Sequence, residues 1–185
     1  MTSKQPHKIV QIHMGHPVLG ASTKILSKEL INMLLCVVRI FMNQTLCNQC
    51  YLNLELGCND YKILNEMERN HQVKTSGSSW CDQTGHSYTN SQWHGDDWYQ
   101  FLPPAGTRIA EEAPGGKHCG TNWSGWMQGS HPTSLGETVT RTVCFQGTSS
   151  LTCYKSSEIK VRNCGQYFLY RLVDTPICQA GYCAK

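Results

Sequence analysis

Eight cysteines set between Cys58 and Cys183 constrain this chain more than any other feature. An even number of cysteines in a short region reads as a disulfide framework, here of four bridges, and such a framework needs an oxidising compartment. A cytosolic protein with reduced structural thiols is the alternative, and the spacing disfavours it. Three more cysteines, Cys36, Cys47 and Cys50, precede the eight, and the sequence does not assign their pairing. The stretch from Cys119 to Cys144 organises the rest. It reads as a Gly/Ser/Trp loop, a turn at Gly129-Ser-His-Pro132, and an alternating segment from Thr138 to Phe145. In that segment Val139, Val143 and Phe145 share one face, and Thr138, Thr140 and Thr142 take the other. A period of two in β-branched residues is a strand signature.

The same pattern predicts a mainly β, small disulfide-rich domain over 58–185, with long loops and little helix. Asp97 to Leu102 reads as a strand ending at Pro103-Pro104. Glu158 to Arg162 and Gln166 to Val173 read as a hairpin turning at Asn163-Cys164-Gly165. Asp60 to Arg69 is either a short helix or a strand, and 70–97, rich in Ser, Thr, Gly, Asn and His, reads as loops. Cys144 and Cys153 flank a tight Gly/Ser loop across which a local bridge is geometrically easy. All five tryptophans, Trp80, Trp93, Trp98, Trp123 and Trp126, lie in 80–126. In a small disulfide domain such rings supply core, since each buries about 150–250 Å2. The competing reading is a set of exposed platforms for sugars.

Ahead of the domain, 1–29 reads as a mobile polar tail. Residues 30–46 hold the one long apolar run, Leu30 to Met42, interrupted by Asn32 and Arg39. It falls short of the roughly twenty residues of a membrane-spanning helix. Three readings stand: a signal peptide whose translation begins at Met33, an uncleaved signal-anchor over 30–42, and an amphipathic helix packed on the domain. Residues 47–57 read as a cysteine hairpin or linker. Asn43-Gln-Thr45 and Asn122-Trp-Ser124 are glycosylation sequons, making Asn43 and Asn122 the candidate acceptors.

Charge excludes one class of partner. Residues 1–32 carry Lys4, Lys8, Lys24 and Lys28 against Glu29, whereas 33–185 hold twelve Lys/Arg and twelve Asp/Glu. The folded part has no net field to attract phosphate backbones, so nucleic acid is not expected as a partner. Catalysis is not expected either. His118 adjoins Cys119 only in sequence, and the acid pairs Asp96-Asp97 and Glu111-Glu112 are chain neighbours that point apart. Cys47-Asn-Gln-Cys50 lacks a second metal-ligand pair at zinc spacing. No catalytic residue, metal or cofactor is assigned.

A resemblance adds to this. Cys58-Asn-Asp-Tyr61 with Leu64 and Arg69, Trp80-Cys-Asp82, Trp98-Tyr99 with Phe101, Gly106-Thr-Arg108, His118-Cys-Gly-Thr121, Gly125-Trp126, Gly129-Ser-His-Pro132, Thr140-Arg-Thr-Val-Cys-Phe145, Val161-Arg-Asn-Cys-Gly165, Tyr170-Arg-Leu172 and Tyr182-Cys183 follow one another in a familiar order. That order resembles the eight-cysteine domain shared by uromodulin, the pancreatic secretory granule membrane major glycoprotein and the liver-specific zona pellucida domain-containing protein. The likeness spans 58–183. It implies a secreted or cell-surface, non-enzymatic β module for structural or adhesive contacts with extracellular proteins or glycans. A carbohydrate-binding module is the alternative.

The resemblance also implies the pairs Cys58–Cys164, Cys81–Cys178, Cys144–Cys153 and Cys119–Cys183. Some members carry an N-glycan in the final strand and present mannose to bacterial fimbrial adhesins. The matching position here is Arg171, so that sequon is absent. Gln128 stands where many members place an asparagine sequon before the turn. The chain ends two residues after Cys183, so the filament-forming zona pellucida module is not expected within it.

Overall fold

A computed structural model of the chain describes residues 56–76, 80–148 and 153–185. The expected tail, apolar segment and most of the cysteine hairpin lie outside these residues, with Cys36, Cys47, Cys50 and Asn43. Seven strands make one sheet: β1 (Lys62–Leu64), β2 (Asp97–Phe101), β3 (Trp123–Met127), β4 (Thr138–Gln146), β5 (Lys155–Asn163), β6 (Phe168–Leu172) and β7 (Ala180–Tyr182). Their order is β1-β2-β6-β5-β4-β3-β7. The interior pairs are antiparallel, while β1 runs parallel to β2 and β7 parallel to β3. Among the described residues the helical content is a single 3-10 turn, Met67–Arg69, and no helix is long and apolar enough to cross a membrane.

The alternation of β4 is realised in its register. Val139 faces Val161, and Val143 faces Ser157. Val143 and Phe145 are buried, while Thr138 and Thr140 are exposed. With Tyr99, Phe101, Met127, Ile159, Val161, Tyr170, Leu172 and Tyr182 they form one core on one face of the sheet. The aromatic rings meet edge-on across it, Phe101 against Tyr170 and Phe145 against Tyr182. A smaller cluster of Cys58, Cys164 and Leu169, flanked by Tyr61, Trp98 and Tyr167, covers part of the opposite face.

Three local expectations are corrected or sharpened. The Gly/Ser/Trp loop before Met127 is strand β3, lying between β4 and β7. Glycine there serves close packing rather than a turn. A Cβ on Gly125 would stand 2.7 Å from both the Gly181 carbonyl oxygen and the Phe145 ring. The segment from Asp60 to Arg69 holds both alternatives in series, strand β1 and then the 3-10 turn. The last residues add a strand, β7, after the one that carries Arg171.

Candidate functional site

The expected site residues are the eight cysteines, and the fold brings them together in pairs. Cys58 bonds to Cys164 with Cα atoms 6.0 Å apart, tying the segment ahead of β1 to the β5–β6 turn. Cys119 bonds to Cys183 with a Cα separation of 5.4 Å, clasping the loop before β3 to the end of β7. Cys144 bonds to Cys153 across the β4–β5 turn at 4.9 Å. Cys81 and Cys178 are not joined, but their sulfurs lie 2.8 Å apart. Burial and the hydrogen bond with Cys178 push the Cys81 thiol up to about 11. A thiol held that way is a poor nucleophile at neutral pH.

Beneath Cys81 lies a fully buried ion pair. Arg69 donates from Nη1 and Nη2 to the two carboxylate oxygens of Asp82 at 2.8 and 2.7 Å. Its Nε donates to Glu66 at 2.7 Å. Asp82 also accepts the Tyr182 backbone N–H at 2.9 Å, which anchors β7. Burial alone would lower the Arg69 pKa, but the two carboxylates outweigh it and hold the guanidinium charged. The Trp80 ring caps it, 4.4 Å from the guanidinium carbon. Trp80 itself fits only because Gly120 and Gly181 lie beneath it. Cβ atoms at either position would overlap the ring, and Gly120 has φ +70° besides.

A second polar chain runs through the core. The His131 ring nitrogens lie 2.6 Å from a Glu111 oxygen and 2.7 Å from the Tyr170 hydroxyl. The Ile109 N–H donates to that hydroxyl oxygen at 3.1 Å. One proton arrangement satisfies every member: Nδ1–H donates to Glu111, and Tyr170 O–H donates to Nε2 of a neutral imidazole. Burial lowers the His131 pKa more than Glu111 raises it, and burial pushes the Tyr170 hydroxyl far up. Carboxylate, imidazole and hydroxyl in line share the connectivity of a hydrolase triad. Tyr170 is fully buried, however, and the three groups fasten loops to β6.

The tryptophans serve the core more than the surface. Trp93 is buried, stacks on Tyr99 at 5.1 Å and donates from Nε1 to Asp174 at 2.7 Å. Trp98 lies under the Arg162 guanidinium at 4.4 Å, and Trp123 stacks on Tyr154 at 4.6 Å. Trp80, Trp98, Trp123 and Trp126 are half-buried, and none of the five is exposed. Asn122 is half-buried, and its amide donates to Gln179 at 2.6 Å. Among the described residues no group of three or more His, Cys, Asp or Glu could hold a metal ion.

Arg69, Asp82 and His131 stand in the sequence with no local sign of their connections. A basic residue and an acid thirteen positions apart carry no local signal. The Asp82 position beside Cys81 was the one hint of burial.

Residues 99–184 match the family model of the uromodulin-like, eight-cysteine domain. Rat (Rattus norvegicus) uromodulin is 35% identical over 127 residues, covering 68% of this chain and 18% of that protein. The pancreatic secretory granule membrane major glycoprotein GP2 of dog (Canis lupus familiaris) is 32% identical over 127 residues, covering 68% of this chain and 23% of the relative. The mouse (Mus musculus) form is 29% identical over 130 residues, with 68% and 22% covered. The chain thus spans about a fifth of the length of these relatives. Disulfide-rich domains of this kind belong to oxidising compartments, and this domain is extracellular. Its β sheet, sulfur pairs and sequence matches together identify a uromodulin-like, eight-cysteine domain within this chain.

Proposed function

We propose that this chain is a non-enzymatic extracellular module that makes structural or adhesive contacts with other extracellular proteins. One observation supports the reading above others: the sulfur pairs fasten loops and chain ends, while the buried polar groups are spent on one another. Cys58–Cys164 and Cys119–Cys183 clasp the beginning and end of the domain. Arg69 with Asp82, and His131 with Glu111 and Tyr170, are engaged in holding those same segments. Rigid, bridged surfaces lose little conformational entropy on binding a partner, which suits a contact module. The fourth bridge, Cys81–Cys178, completes this frame in the oxidised protein. Asn122 serves as a glycan acceptor, since a glycosylated amide keeps one N–H for Gln179.

Intact mass of the chain secreted from a eukaryotic host, alkylated before and after reduction, tests the frame. All eight cysteines from Cys58 to Cys183 should be protected until reduction, and glycosidase should shift the mass. An intracellular product with freely alkylated cysteines would overturn the extracellular reading. Beads coated with the secreted chain should bind cultured cells and lose that binding once the protein is reduced and alkylated. Undiminished binding after reduction would separate adhesion from the frame.

A further inference from the structure

Strands β2 and β6 pair only through Asp97–Tyr99 and Tyr170–Leu172. Beyond Tyr99 they part. Gln100 and Phe101 stay with β1, and Phe168 and Leu169 stay with β5. The parting opens a cleft of about 380 Å3 lined by Gln100, Phe101, Thr107, Arg108, Tyr167 and Phe168, with Leu102 and Gln166 at its edges. That volume is near the lower end of the roughly 300–1,000 Å3 of small-molecule sites, room for one compact residue rather than a chain.

The walls are held in place from behind. Thr107 N–H and Arg108 N–H donate to the Lys185 carbonyl, and Lys185 N–H donates to the Arg108 carbonyl. The Tyr167 hydroxyl donates to the Cys58 carbonyl at 2.7 Å, beside the Cys58–Cys164 bridge. Phe168 packs on His131, ring centroids 4.5 Å apart. The polar groups of the lining are otherwise idle. Among the described residues, no hydrogen bond or ion pair engages the side chains of Gln100, Thr107, Arg108 or Gln166. No acid lines the cleft to neutralise Arg108.

We propose that this cleft binds a carboxylated sugar, a sialic or uronic acid residue at the end of a glycan. The Arg108 fork matches a carboxylate in a bidentate way. Two carboxamides and a threonine hydroxyl, each both donor and acceptor, suit the ring hydroxyls, and Tyr167 and Phe168 offer apolar surface for a sugar face. The tryptophans take no part. The proposal is independent of the protein-contact reading.

Saturation-transfer NMR on the full secreted chain tests it with five probes: the methyl glycoside of N-acetylneuraminic acid, methyl glucuronide, the methyl ester of each of these two acids, and N-acetylglycine. At least one sugar acid should bind, about ten-fold or more tighter than its neutral ester, because a charge-assisted pair is lost in the ester. R108Q should abolish that preference while leaving the spectrum of the core unchanged, since Arg108 has no structural partner. Q100A should weaken acid and ester alike. The sugar acid that binds tighter identifies the source. No transfer to either acid at about 10 mM, well above a millimolar Kd, would overturn the proposal. So would equal binding of acid and ester, an unchanged preference in R108Q, or N-acetylglycine binding as tightly as the sugars.

Discussion

At Arg69 and Asp82 two full charges are removed from water, and the geometry explains why the fold tolerates them. Both carboxylate oxygens accept from the guanidinium, the Nε is taken by Glu66, and Asp82 takes the Tyr182 N–H as well. Removing one partner strands the other. D82A should therefore destabilise the domain by about 3–5 kcal/mol, read as a lowered denaturant midpoint. The double variant R69M/D82L should recover part of that loss. Recovery stays partial because the Tyr182 N–H is left without an acceptor. A D82A midpoint equal to wild type would mean the pair is not a unit of stability. Gly181 makes a sharper steric test. A methyl there would meet the Trp80 ring and the Thr121 methyl at 2.5 and 2.7 Å, neither of them able to swing away. G181A should cost about 1–3 kcal/mol through overpacking, and an unchanged midpoint would show that the Trp80 wedge is loose.

At the scale of elements, legibility followed the range of the signal. Val139, Val143 and Phe145 announce β4 because side-chain alternation is a property of adjacent residues. The turn at Asn163-Cys164-Gly165 is equally local, and β5 and β6 flank it. Strand β3 was hidden because Gly125, read as part of a Gly/Ser/Trp loop, is glycine for the sake of Gly181 and Phe145, neighbours supplied by distant strands. The short parallel edge β7 was missed for the same reason, and β1 stood undecided between strand and helix: three residues show no period, and their partners are remote in sequence. The cleft beside Arg108 is a product of where β2 leaves β6, which no local pattern encodes. The bridges let elements be weighed against each other. Cys58–Cys164 spans 106 residues and Cys144–Cys153 spans 9. In the chain-entropy account a loop of about 100 residues contributes about 4.7 kcal/mol and one of 15 about 3. The pair C58S/C164S should therefore lower stability by roughly 4–5 kcal/mol and C144S/C153S by less than about 3, compared by denaturant unfolding without reductant. A larger loss from the short bridge would show that native-state geometry at the β4–β5 turn, not loop closure, governs the effect.

At the scale of the whole molecule the ends of the chain meet the middle through the Glu111 relay. Glu111 accepts from His131 and from Lys185, next to the last strand, while His131 reaches Tyr170 on β6. Partial burial pushes the Glu111 carboxyl up, but hydrogen bonds from His131 and Lys185 outweigh it and bring it down to about 2. A carboxyl depressed by folding contributes stability that is present above its unfolded value of about 4.5 and lost as pH falls toward 2. Burial lowers the His131 pKa below 6.5, so protonation there also favours the unfolded chain, beginning as pH falls below that value. Both groups thus weaken the fold in acid. Asp97 and Asp174 are depressed as well, by hydrogen bonds that outweigh their burial, so acid loss alone does not single out the relay. The difference between wild type and E111Q does. Glutamine keeps an acceptor for His131 but binds no proton. Denaturant midpoints taken stepwise from neutral pH downward should fall for both proteins below 6.5. Between about 4.5 and 2 the E111Q midpoint should fall less steeply than wild type, the gap between them closing as pH drops. Parallel profiles through that window would mean that Glu111 titrates in the folded domain as it does in the unfolded chain. The clasp between Lys185, His131 and β6 would then rest on neutral hydrogen bonds and packing rather than on charge.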